Sequence, residues 1–200
     1  MSDGHMLKAK PLYGRHYYLR PVEVGDRDVL RALFAGDPDN WLIQTNSALG
    51  DDFEAYWAAM LDTPDRISFA IVEAASETVV GTSSFFQIDD RHRTVEIGHT
   101  FFHPSARGTQ ANPEAKRLML SEAFSAGALR VQFSVAEANT RSQAAMLKLG
   151  AVREGLLRNH RITWTGMHRN TVLFSITDAE WPAVKEGLEQ RLGMPGATGA

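Results

Sequence analysis

The run from Thr94 to Leu118, TVEIGHTFF followed by HPSARGTQANPEAKRL, limits the fold more than any other part of this 200-residue chain. A strand-like alternation leads through a loop of small residues straight into a helix with proline in its first turn. Strict alternation places Val95, Ile97, His99 and Phe101 on one face, and Glu96, Gly98, Thr100 and Phe102 on the other. Asn112 reads as the N-cap, Pro113 suits the first helical position, and Glu114 favours the positive helix start. The helix should run to about Ala126 and stop at Gly127. A further strand, LRVQFSVA, follows at Leu129–Ala136.

Upstream, His16–Val22 reads as a first strand, and Asp26 as the cap of a helix through Phe34 with Val29, Leu30 and Leu33 on its apolar side. A second helix carries Phe53, Trp57 and Met60 at helical spacing. Ser68–Ala74 and Thr78–Ile88 are neighbouring strands, and Asp89–Arg93 is a polar turn. Downstream, Asn139–Gly150 is a short helix closed by glycine, two strands follow, and Asp178–Leu192 is an amphipathic helix. One strand, two helices, three consecutive strands and then alternating strands and helices imply a mixed α/β sheet with helices on both faces. One domain is expected over residues 13–193, with loose ends at 1–12 and 194–200.

Composition excludes several classes. A net charge of −3 without a dense Lys/Arg run gives no reason to expect nucleic acid. The chain has no cysteine, hence no disulfide frame and no thiol nucleophile, which fits a cytoplasmic protein. No apolar run approaches a membrane span, and the start lacks the apolar core of a signal peptide. His99 and His103 lie on a strand running into a loop, where their spacing does not converge on a metal. His99 reads as a semi-buried, satisfied histidine on the face opposite Glu96.

Arg107-Gly108-Thr109-Gln110-Ala111-Asn112 has two readings. It is either a plain helix start or a cradle for phosphate, in which amides face one point, small side chains admit the anion and Arg107 adds a charge-assisted bond. Neither the P-loop nor the dinucleotide glycine pattern is present. The ordered set LRPVEVGDRDVL, VEIGHTFFHPSARGTQANPEAKRLML, NTRSQAAMLKLGAVREGLLR and RNTVLFSI before EW, from roughly Tyr13 to Leu192, resembles the GCN5-related N-acetyltransferase (GNAT) superfamily. It is most similar to the ribosomal-protein alanine acetyltransferase (RimJ/RimL-like) branch.

That resemblance implies a mostly antiparallel sheet of about seven strands splayed at its centre. It implies acetyl-CoA as cosubstrate, no metal, and acetyl transfer to a primary amine, either a protein or peptide N-terminus or a small molecule. The amides of the Arg107–Asn112 loop would hold the pyrophosphate. Gln110 stands where the family usually has glycine; a left-handed backbone there would cost glutamine more, so its side chain must turn from the ligand or the loop must shift. Backbone groups of Thr100, Phe101 and Phe102, facing Phe133–Ala136, would flank the pantetheine arm. Gly98 would admit chain or substrate, or simply pack. Asn139 matches the asparagine that contacts the cofactor arm, and also reads as a helix cap. Met146 replaces the tyrosine acid of many members, and Ser142 matches the branch serine that would serve the leaving thiolate. Glu96 is the candidate base, the alternative being a carboxylate paired with an arginine. Trp41, Phe53, Tyr56 and Trp57 would line an acceptor pocket or form core, and Trp164 an acceptor or dimer contact. A homodimer is the expected assembly. The rival readings are a GNAT-fold CoA or acyl-CoA sensor without turnover, and a plain α/β interaction domain.

Overall fold

The computed structural model describes residues 6–194. A two-residue strand, β1 (Leu12–Tyr13), pairs with β2 (Tyr17–Pro21). Helices α1 (Arg27–Ala35) and α2 (Phe53–Asp62) come next, then strands β3 (Ile67–Glu73), β4 (Thr78–Asp89) and β5 (Thr94–Phe102). Helix α3 (Ala111–Ser125), strand β6 (Arg130–Ala136) and helix α4 (Thr140–Leu149) follow. The hairpin β7 (Val152–Ile162) and β8 (His168–Thr177) leads to α5 (Trp181–Arg191). The sheet has eight strands in the order β1-β2-β3-β4-β5-β6-β8-β7, one more than the seven expected, because β1 is too short to leave a periodic signal. Every neighbouring pair is antiparallel except β5 and β6, which the α3 crossover makes parallel.

Two apolar clusters cover the two faces. Phe69, Phe85, Ile97, Val131 and Phe174 pack with Met119 and Leu120 of α3 and Leu188 of α5. Leu30 and Phe34 of α1 and Phe53, Tyr56 and Met60 of α2 pack with Trp41 and Phe101. Val29, expected on the apolar side of α1, is instead half exposed. Residues 1–5 and 195–200 of the expected loose ends lie outside the described residues, while Leu7 and Leu12 are buried in the larger cluster.

Ile97 and Phe101 thus belong to opposite faces, against the expected alternation. Gly98 stands opposite Ser84 and Phe101 opposite Thr82, so β5 has one more residue here than β4. The extra residue is a bulge at His99, whose φ is +48°. Beyond it the parity reverses. Thr100 faces α3, where its hydroxyl meets Lys116, and Phe101 faces α1 and α2. Thr100 therefore does not share a face with Glu96. Gly98 packs: a Cβ there would lie 2.7 Å from Cε1 of Phe86.

The start of α3 also differs from expectation. The helix opens at Ala111, with Gln110 in the capping position, so Asn112 is not the cap. Thr109 does the local work: its hydroxyl donates to the Ala106 carbonyl (2.7 Å) and accepts from the Ala111 amide (3.2 Å). Asn112 is then free to face outward from the first turn. Glu114 is fully buried and accepts from the amides of Arg15, His16 and Tyr17, tying the β1–β2 turn to the helix.

Candidate active site

Strands β5 and β6 pair only from Thr94–Glu96 to Arg130–Gln132, then part. On its other edge β6 stays paired with β8 as far as Ala136. Parting strips the β6 edge of its β5 acceptors. Glu96 sits at the fork and answers one of these needs: Oε1 accepts from the Ser134 amide (3.0 Å) and Oε2 from the Gln132 side chain (2.8 Å). Its carboxylate is buried and makes no ion pair with arginine among the described residues. Each oxygen keeps a second lone pair.

The gap forms a cleft of about 610 Å³. Thr100, Phe101 and Phe102 line one wall and Phe133–Ala136 the other. At one end stand Arg107, Gly108 and Asn112. The amides of Gly108, Thr109, Gln110 and Asn112 donate to no protein acceptor among the described residues. The left-handed position is Gly108 (φ +77°), while Gln110 has an ordinary right-handed backbone (φ −75°). The glutamine therefore carries no backbone penalty. With Thr109 it lines a separate pocket beside His16 and Glu73, so these two residues have only their amides to offer a ligand, while Ala111 is buried with its amide already bonded to Thr109 Oγ1. Arg107 is partly committed already: Nε donates to the Phe102 carbonyl (3.0 Å) and its guanidinium pairs with Asp37.

On the opposite wall Asn139 caps α4, its side chain accepting from the Ser142 amide (3.0 Å), while lining the cleft. Ser142 and Met146 also line it. Of the expected pocket aromatics, Trp41 and Tyr56 reach the cleft, whereas Phe53 and Trp57 are core. Trp164 belongs to the β7–β8 turn and fastens it to the α1–α2 connection, its Nε1 donating to the Trp41 carbonyl (2.8 Å).

Three functional candidates escaped the sequence reading. His99 is no satisfied core residue on the far face; the bulge turns it into the same cleft as Glu96, against Phe86 and Tyr56. Its ring meets solvent through the cleft mouth, yet surrounding protein, and then the charges of Arg66 and Arg169, pull its pKa below the usual histidine range. It is neutral at pH 7. Lys116 is buried, lines the cleft, and donates to Thr100 (2.9 Å) without a carboxylate partner among the described residues. Burial pulls its pKa down to about 7. One sequence signal was available: Lys116 precedes the apolar Met119 and Leu120 by three and four residues, on the face of α3 that they share. Arg169 also lines the cleft, and only the hairpin register brings it there.

Among the described residues no group of three His, Cys, Asp or Glu side chains is placed to hold a metal, and no helix is long and apolar enough to cross a membrane.

A family model described as an acetyltransferase (GNAT) domain matches residues 16–152. The Bacillus subtilis (strain 168) protein named "Probable N-acetyltransferase YjcK" is 28% identical, over 74% of this chain and 87% of that one. A crystal structure of a GCN5-related N-acetyltransferase from Brucella melitensis superposes with a TM-score of 0.83 at 28% identity, covering 92% of this chain and 86% of that one. Mycobacterium smegmatis RimJ in complex with CoA-disulfide shares the fold, with a TM-score of 0.78 at 19% identity, covering 92% and 95%.

Proposed function

The chain belongs to the GNAT acetyltransferase family, and on that premise we propose that it transfers acetyl from acetyl-CoA to a primary amine by direct attack of the amine on the thioester. The parting of β5 from β6, with a buried carboxylate at the fork and undonated amides at one end, carries this reading. The residues present fit the donor. Gly108, Thr109, Gln110 and Asn112 offer amides to its phosphates, backed by the positive start of α3. Asn139 and the walls at Thr100–Phe102 and Phe133–Ala136 flank its arm.

The attacking amine must be neutral, and Glu96 takes its proton. Ser142 supplies a hydrogen bond to the departing thiolate. The acceptor is a peptide N-terminus or a small-molecule amine, and the chain works as a RimJ/RimL-like member with one catalytic domain over residues 13–193. The test is product stoichiometry. Incubation with acetyl-CoA and a mixed panel of amines and peptides should release one free thiol for each acetylated amine found by mass spectrometry. Thiol release without acetylated amine would point to hydrolysis and sink the transferase reading.

A further inference from the structure

The cleft is cationic at the end built by the β7–β8 hairpin. Arg161 and Arg169 are register partners across that hairpin, and both line the cleft. Like charges directly opposite in an antiparallel pair destabilise it. Neither arginine makes an ion pair among the described residues. Arg169 donates through Nη1 to the Ile43 carbonyl (3.3 Å), while its Nε is buried without an acceptor. On the same wall His160 Nδ1 and Thr171 Oγ1 are buried and unpartnered as well. Buried polar atoms are normally satisfied, so a group of them on one wall of a cleft marks where something binds. The carboxylate in the cleft lining, Glu96, already serves Ser134 and Gln132 at the fork. Nothing acidic in the lining offers a second site for a polycation.

We propose that the acceptor is a small primary amine that also carries an anionic oxygen group, carboxylate or phosphate, received by Arg169 with Arg161 opposite. The planar guanidinium suits such a group. Binding neutralises the facing arginines and supplies the acceptor that Arg169 Nε lacks. The amine end then points towards Glu96, which lines the same cleft. This inference rests on the acetyltransferase reading above.

The experiment is a matched panel of primary amines: amino acids, their carboxamides, phosphate-bearing amines and polyamines, each assayed for kcat/KM. Anionic members should exceed their neutral counterparts by at least about 100-fold, rising towards about 10⁴-fold if the neutral amine leaves the buried donors fully unpaired. The carboxylate and phosphate arms identify which anion fits. Arg169→Gln should erase the preference while KM for acetyl-CoA stays within about threefold, and Arg169→Lys should restore part of it. Arg161→Gln, at an exposed position, provides a second variant that keeps the fold. Equal or better use of neutral amines or polyamines overturns the proposal, as does silence from every anionic member. A rise in KM for acetyl-CoA on Arg169→Gln also overturns it, by assigning the arginine to the donor. Failure of the acetyltransferase reading is separately visible, as no acetylated product from any member of the panel, neutral amines and polyamines included.

Discussion

Glu96→Gln is expected to lower kcat by about 10²–10⁴-fold, the range for removing a positioned general base. CoA affinity should stay within about threefold. The substitution is chosen for what it preserves. The retained carbonyl oxygen still accepts from the Ser134 amide, and the Gln132 amide can rotate to offer its own oxygen to the new NH₂ group. The fork between β5 and β6 is therefore kept and only proton acceptance is lost. Single-turnover kinetics with pre-bound acetyl-CoA separates chemistry from binding. If kcat and CoA affinity fall together, Glu96 is structural. If kcat survives in Glu96→Gln and collapses in His99→Asn, the base is the neutral histidine that the bulge brings into the same cleft.

Lys116→Met is expected to stabilise the protein, and most strongly at acid pH. Burial lowers this amine from its usual 10.5 to about 7. Between those values the unfolded chain holds the proton and the native protein does not, so wild-type stability rises with pH across that window. Below about pH 7 the native state carries the charge in full burial, a cost on the order of 3–5 kcal/mol. Methionine fills similar space without charge, and Ser83 and Thr100 remain bonded to each other at 2.8 Å. Urea denaturation at pH 6 and pH 10 should show the variant ahead by several kcal/mol at pH 6 and nearly level at pH 10. An equal gap at both values would mean that Lys116 acts through packing rather than charge. A buried amine at the wall of a cleft, held at such cost, is consistent with a role in binding that stability alone does not explain.

Most of the fold was legible because its signals are local. The α3 crossover, the capped α4 with Gly150 behind it, and the apolar faces of α2 and α5 are all written in periodicity and terminal residues. The site was only half legible, for reasons that are tertiary. A single bulge at His99 reverses which side chains share a face, and nothing in the alternating run TVEIGHTFF announces it. The reading of α3 placed the cap at Asn112 because asparagine before proline is a strong local signal. The Thr109 hydroxyl overrode it by starting the helix at Ala111. Gln110 looked like a misfit only while the left-handed position was assigned to it; Gly108 occupies that position. Arg161 and Arg169 are eight residues apart and face each other only through the register of β7 on β8.

The central claim is that the gap between β5 and β6 holds CoA, and a melting titration tests it most directly. At a hundredfold excess over its Kd, CoA should add about 2.7 kcal/mol to stability. For a domain of this size that is a rise of roughly 5–10 °C in Tm. A Tm that stays put at millimolar CoA would contradict the account.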